Sequence, residues 1–264
     1  MVSEKNISIT GGISGGIYKT AKPKRPPVFP TISFYRNVIP IIIDASRTAG
    51  DGTWLEGQWL KRTMQILENL ERVGCSVEVT GLDNVKGLGR PCVFIGNHMS
   101  TLETFILPVF VLPIMPATYI VKKSLVEYPV FGNIMRNCDP ITVTRTDPRK
   151  DLKEVLEQGT RKLTKEGTSI IVFPQTTRSH TFDRSRFNSI GVKLARRAGV
   201  PLVPVAIKTD AWGRGWPIKD LGRIRPEIPI HFAFGEPMEV TGNGRDQHEQ
   251  VIRFIEEKID QWGR

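Results

Sequence analysis

Apolar positions along the chain recur in two distinct periods. Trp54, Leu55, Trp59, Leu60, Met64, Leu67 and Leu70 return at three- and four-residue steps. This predicts an amphipathic helix over 53–73, stopped by Gly74. Short apolar or alternating runs at 75–80, 92–96, 119–122, 140–145, 169–174, 202–207 and 230–234 predict strands. Helical stretches separate them: one from about Leu102, one over 124–136, one over 148–165, a basic one over 185–198 and a closing one over 247–262. The 148–165 stretch has Pro148 at its start and Gly167 past its end, the expected asymmetry of a helix. Strands alternating with helices of this length predict an α/β fold, a single domain whose largely parallel central sheet is flanked by helices.

The first thirty residues differ. Gly11-Gly12, Gly15-Gly16 and Lys22-Pro-Lys-Arg-Pro-Pro27 with almost no apolar run predict a flexible basic tail over 1–30, without the apolar core of a signal peptide. The folded domain is expected over 31–264, with a helical N-terminal part at about 31–73 and a motif-bearing core at about 75–240. The apolar segment Ile32 to Ile43 fits a helix packed on the domain or one lying in a membrane interface. The most apolar stretch, Phe105 to Val121, is interrupted by Pro108, Pro113 and Pro116 and is short for a spanning helix. It predicts a helix, a turn and a buried strand. The expectation is peripheral association with the cytoplasmic face of a membrane, with no clear spanning helix.

Charge narrows the partners. A formal net charge of +10 points to an acidic partner: nucleic acid, an anionic membrane, or a phosphorylated or acidic-protein substrate. The three cysteines, Cys75, Cys92 and Cys138, are odd in number and lack C-x-x-C spacing. This favours a reduced setting and argues against a zinc site. No metal or resident cofactor is expected.

Candidate chemistry gathers at predicted strand ends. The 92–96 strand breaks at Gly96-Asn97, so His98 sits at its C-terminal edge, where ligands collect in open α/β sheets. Ser100 or Thr101 can cap the next helix, and Glu103 falls in its first turn. A carboxylate so placed can fix the imidazole tautomer and turn the other ring nitrogen to a substrate, although Glu103 also suits the helix dipole alone. Lys122, Lys123, Arg145 and the loop Gln175-Thr176-Thr177-Arg178-Ser179 also follow strands. One base with several cations suits an anionic substrate that must lose a proton. Each cation alone reads more readily as solvated surface.

These stretches resemble the glycerolipid acyltransferases, the 1-acyl-glycerol-3-phosphate acyltransferase family. Asn97-His98-x-x-x-x-Glu103 is similar to its N-H-x-x-x-x-D block, and Phe173-Pro-Gln-Thr-Thr-Arg-Ser179 to its F-P-E-G-T-R-S block. Val121 to Gly132 is similar to its lysine-rich segment ending in P-x-x-G, Val200 to Val205 to its fourth block, and Phe234 to Met238 to its late strand and turn. The resemblance covers roughly residues 75–240. It implies that His98 is a general base taking the proton of a glycerol hydroxyl, which attacks the thioester of acyl-CoA or an acyl-carrier protein as co-substrate. Glu103 would support the imidazolium, and backbone N–H groups the oxyanion. Lys122, Lys123, Arg145 and Arg178 would bind the acceptor phosphate, with Gln175, Thr176, Thr177 and Ser179 beside it. A lysophospholipid acceptor, first of all 1-acyl-glycerol-3-phosphate, and an anionic membrane surface are the implied partners, and phosphatidic acid the product. Nucleic acid is not implied.

Two departures stand out. Glu103 replaces the usual aspartate, and Gln175-Thr176 replaces the usual Glu-Gly. They leave the acceptor open between lysophosphatidic acid, glycerol 3-phosphate and other lyso-lipids. A non-catalytic basic lipid-binding protein and a thioesterase are the competing classes, and a thioesterase or serine hydrolase calls for a nucleophile elbow such as G-x-S-x-G between a strand and a helix.

Overall fold

The computed structural model describes residues 13–21, 24–53, 57–216 and 219–263. Strand β1 (Ile13–Ser14) and strand β2 (Ile17–Lys19) form a hairpin, followed by helices α1 (Pro30–Gly50) and α2 (Gln58–Arg72). The core then alternates: β3 (Val77–Thr80), α3 (Leu82–Lys86), β4 (Val93–Gly96), α4 (Leu102–Val111), β5 (Ala117–Lys122), α5 (Lys123–Val126), α6 (Phe131–Asn137), β6 (Ile141–Val143), α7 (Pro148–Thr164) and β7 (Ser169–Val172). Helix α8 (Ile190–Ala198), strands β8 (Leu202–Lys208) and β9 (Ile230–Phe234) and helix α9 (Arg245–Gly263) close the chain.

The strands form one sheet in the order β1-β2-β3-β9-β8-β4-β7-β5-β6. From β8 to β6 every pairing is parallel, and β9 runs antiparallel to β8. The expected α/β architecture with a largely parallel sheet is therefore the observed one. Within it β4 lies between β7 and β8 and is buried along its whole length. Phe94 faces one core with Val203 and Ile171, while Val93 and Ile95 face the other with Ile170 and Leu202. Burial on both faces is why the strand reads as a continuous apolar run.

Helix α2 follows the expected period, burying Ile66, Leu67 and Leu70. The part of that expectation resting on Trp54 and Leu55 lies outside the described residues. Helix α7 starts where expected because Asp147 accepts from the N–H groups of Arg149 and Lys150 at 3.1 and 3.0 Å.

Three expectations are corrected. Residues 13–21 are not a flexible tail. The Gly15-Gly16 turn, both residues at positive φ, closes a hairpin that pairs with β3. Tyr18 is fully buried against Phe110, its hydroxyl donating to Glu71 Oε1 at 2.5 Å. Residues 1–12, Lys22 and Pro23 lie outside the described residues. Second, the single helix expected over 124–136 is split into α5 and α6. Pro129 disfavours helical backbone at Tyr128, and Val130 takes φ 66°. Gly132 is required in this turn, since a Cβ there would lie 2.5 Å from the Val126 carbonyl oxygen. Third, the basic helix begins at Ile190 rather than 185. Asn188 bonds outward to the Pro174 carbonyl and accepts from the Ile190 N–H at 3.0 Å, an arrangement that competes with helical backbone.

Helix α1 packs on the domain through Phe34, Val38 and Ala45, yet leaves Ile32, Ile39 and Ile43 exposed. Among the described residues no helix is long and apolar enough to cross a membrane.

Candidate active site

Because β8, β4, β7, β5 and β6 are parallel, their C-terminal ends share one edge of the sheet. Asn97 starts the site by bonding back to the sheet. Its side chain donates to the Ile207 carbonyl and accepts from the Ile207 N–H, both at 2.8 Å. One amide side chain thus takes over the role of a ladder residue and aims the next residue off the strand.

That residue is His98. Its Nδ1 lies 2.8 Å from Glu103 Oε1, and its ring stacks on Phe173 at 4.6 Å and 5°. An ionised carboxylate can only accept, so Nδ1 carries the proton and Nε2 is left as the basic nitrogen. The imidazole remains 17 % exposed, whereas Glu103 is fully buried.

A buried carboxylate needs every lone pair answered. Glu103 accepts from the N–H of Met99 at 2.6 Å, from the N–H of Ser100 at 2.8 and 3.0 Å, and from Thr209 Oγ1 at 2.6 Å. Ser100 Oγ lies 3.0 Å from Glu103 Oε2 and also accepts from the Leu102 N–H at the head of α4. Burial, the largest single influence, would push the Glu103 pKa up. The hydrogen bond and charge of His98, with Thr209 and the backbone donors, outweigh it and hold the carboxyl below the ordinary range. The residue stays ionised at neutral pH and can balance an imidazolium.

The loop after β7 clamps the histidine's backbone. Gln175, buried, accepts from the His98 N–H at 3.1 Å, and the Ser179 N–H donates to the His98 carbonyl at 2.9 Å. Between them Thr176 takes φ 61°, a left-handed conformation that β-branched residues rarely adopt. Thr176 and Thr177 are exposed. Gln175 is thus brought to the histidine's backbone rather than presented to solvent.

Arg178 donates through Nη1 to Thr101 Oγ1 and to Asp220 Oδ1. Lys122 ends β5 and Lys123 starts α5; both are exposed and have no ion-pair partner among the described residues. Arg145 follows β6 at φ 63°, its N–H donating to Asp151 Oδ2 at 2.6 Å. Partial desolvation lowers its pKa and the charge of Asp151 opposes that, leaving a cation at neutral pH. In the strand order β5 is two places and β6 three places from β4, about 10 and 14 Å at the usual strand spacing. The structure therefore joins His98, Glu103, Gln175 and Ser179 by direct bonds, sets Arg178 on the turn before α4, and ranges Lys122, Lys123 and Arg145 outward along the same edge.

Sequence reasoning missed Thr209 and Asp220. Thr209 directly follows β8 and so had a topological signal, whereas Asp220 had none. The cysteines are free and buried, and burial pushes each thiol up to about 12. None is a thiolate nucleophile near neutral pH. The arrangement can take a proton from a hydroxyl at Nε2, store the resulting charge against Glu103, and attract an anion along the neighbouring strand ends.

The chain is similar to known proteins over most of its length. The crystal structure of the 1-acyl-sn-glycerophosphate (LPA) acyltransferase PlsC from Thermotoga maritima superposes with a TM-score of 0.63, covering 88 % of this chain and 94 % of that one at 20 % identity, which speaks to the fold. The 1-acyl-sn-glycerol-3-phosphate acyltransferase of Pseudomonas aeruginosa is 30 % identical over 204 residues, 77 % of this chain and 70 % of that protein. The protein of the same name from Saccharomyces cerevisiae is 28 % identical over 160 residues, and the chain spans only half of its length. A family model described as Acyltransferase matches residues 76–208, from the residue before β3 to the last residue of β8. Since that stretch contains the histidine, its carboxylate and the strands that hold them, the chain belongs to the acyltransferase family.

Proposed function

We propose that this protein transfers a fatty acyl group from acyl-CoA or an acyl-carrier protein to the free hydroxyl of 1-acyl-glycerol-3-phosphate, giving phosphatidic acid. The observation that carries the reading is the 2.8 Å contact between His98 Nδ1 and a fully buried, fully bonded Glu103. The names borne by the Pseudomonas and yeast relatives support the choice of acceptor.

In this reading His98 Nε2 takes the acceptor's hydroxyl proton as its oxygen attacks the thioester carbonyl. The C–O bond forms, the carbonyl electrons move to oxygen, and an oxyanion results. Collapse restores the carbonyl and breaks the C–S bond, and the imidazolium returns its proton to the departing thiolate. Glu103 stays ionised and steadies the imidazolium between the two transfers. The acyl group passes directly to the acceptor, so His98 serves as base and then acid without a covalent enzyme intermediate. Arg178, Lys122, Lys123 and Arg145 bind the acceptor phosphate.

The acceptor resides in a membrane, and the protein meets an anionic one as a peripheral partner. Val28, Phe29, Ile32, Ile39 and Ile43, exposed on and before α1, together with the net charge of +10, support this docking.

The test is thiol release from acyl-CoA and from acyl-carrier protein, with and without lysophosphatidic acid, with the lipid product extracted. Acceptor-dependent release with phosphatidic acid formed is expected. In His98→Ala, kcat falls by about 10² to 10⁴ while circular dichroism is unchanged. Release without acceptor identifies a thioesterase instead, and activity surviving His98→Ala overturns the mechanism.

A further inference from the structure

Arg178 is held by groups of the protein itself. Its Nη1 donates to both Thr101 Oγ1 and Asp220 Oδ1, and Thr101 Oγ1 donates to the same carboxylate oxygen at 3.1 Å. Asp220 belongs to the segment between β8 and β9, outside every block that carries the family resemblance.

Around the partly exposed Asp220 the chain is tied down from below. Trp212 Nε1 donates to the Asp220 carbonyl at 3.1 Å. Trp212 is itself buried, edge-on to Phe34 and stacked on Phe105. Two residues beyond Asp220, the Tyr35 hydroxyl donates to the Gly222 carbonyl at 2.7 Å. Thr31 Oγ1 then accepts from the Ile224 N–H at 3.0 Å. Buried aromatic residues and α1 thus fix where the Asp220 carboxylate stands.

An isolated exposed ion pair contributes little to stability, so stability does not account for such anchoring. Orientation does. A free arginine must lose its rotamer freedom when it grips a phosphate, and prior immobilisation removes that cost from the binding step. With Nη1 engaged, Nη2 and Nε keep donors for a bidentate phosphate contact. One carboxylate opposes the incoming anion, but Arg178, Lys122, Lys123 and Arg145 outweigh it.

We propose that Asp220 is a positioning residue that holds Arg178 in its phosphate-binding orientation, so that the β8–β9 segment, anchored by Trp212 and α1, takes part in acceptor recognition. The inference rests on the reading of Arg178 as a ligand of the acceptor phosphate.

Steady-state kinetics on the full chain with lysophosphatidic acid and acyl-CoA test it. Asp220→Ala is expected to raise the acceptor KM about 3- to 10-fold, with kcat and the acyl-CoA KM within about 2-fold. Asp220→Asn, which keeps an acceptor oxygen for Nη1, restores most of the loss. In an Arg178→Ala background Asp220→Ala adds nothing, because the residue it positions is gone. An acceptor KM that is unchanged or lower in Asp220→Ala, while Arg178→Ala raises it, overturns the inference and leaves the phosphate reading of Arg178 intact. Additive effects of the two substitutions overturn it as well. If Arg178→Ala itself leaves the acceptor KM unchanged, the phosphate reading falls, and this inference with it.

Discussion

Two parts of one sheet edge are built on opposite plans. At β4 and β7 the polar groups are buried and over-determined: Glu103 has donors on both oxygens, His98 is held at its ring and at both backbone groups, and Asn97 is spent on Ile207. At β5 and β6 the cations Lys122, Lys123 and Arg145 stand at the surface, the lysines without a carboxylate partner among the described residues. A base must be kept within a few tenths of an ångström and in one tautomer, which only a packed, satisfied environment secures. An anion is drawn by charge over several ångströms, and solvated lysines suffice for that. The two halves should therefore respond differently to perturbation.

The largest effect is expected on the buried side. Glu103→Gln keeps the volume but loses the charge, and its amide places donors where Met99, Ser100 and Thr209 already donate. Loss of kcat on the order of 10²-fold or more is expected, together with destabilisation of about 1–3 kcal/mol from mismatched buried groups. Single-turnover rates and urea midpoints check both. Glu103→Asp, the residue more usual in the resembled block, should not be neutral. Shortened by a methylene, it cannot reach His98 and Thr209 together without a shift of α4. Wild-type kcat in Glu103→Gln would break the contrast altogether.

Acid should also find the buried side first. Glu103 has a lower pKa folded than unfolded, so it contributes stability that is full above the unfolded value near 4.5 and is lost as pH falls through the folded value. Urea midpoints measured from pH 6 down to pH 3 should therefore fall less steeply in Glu103→Gln than in the wild type. Parallel curves would mean that the carboxyl titrates alike in both states.

On the exposed side, replacing Lys122 and Lys123 together by alanine should raise the acceptor KM by about 10-fold and leave kcat within about 2-fold. The effect should shrink as salt rises from 50 to 500 mM, since exposed charges are screened. A kcat loss comparable to that of Glu103→Gln would show that these lysines belong with the base after all.

The smallest effect concerns Thr176, at φ 61° between Gln175 and Thr177. Thr176→Gly removes a left-handed strain of about 1–2 kcal/mol, offset in part by the greater freedom of glycine in the unfolded chain. A net gain of about 1 kcal/mol or less is expected, read as a small rise in Tm. A fall in Tm would mean that the threonine side chain supplies packing that outweighs its backbone strain.

Much of this was legible in the chain. Periodicity located the strands from 92–96 to 230–234, because most of them are apolar runs buried on both sheet faces, and the parallel pairing of β8, β4, β7, β5 and β6 then sends the C-terminal ends of those five to one edge. The pairing of His98 with Glu103 followed from a strand end and the first turn of a helix, which are local features. The errors have local causes too. A glycine-rich, basic start hid a hairpin whose stability comes from Tyr18 reaching Glu71, fifty-three residues away. Pro129 was absorbed into a helix that it interrupts.

What the sequence determined by itself was the set of short-range facts: which runs are strands, which turns need glycine or proline, which blocks resemble a family, and that base and carboxylate lie close in the chain. What only the tertiary structure decided was which distant groups complete them. Gln175 and Ser179 hold the backbone of His98, Thr209 closes the Glu103 network, and Asp220 takes Arg178 from a segment with no motif of its own. The reason is physical. A hydrogen bond to a buried carboxylate or an exposed guanidinium leaves no periodicity in the chain, since its partner is chosen by the packing of strands and helices that bring remote residues within 3 Å.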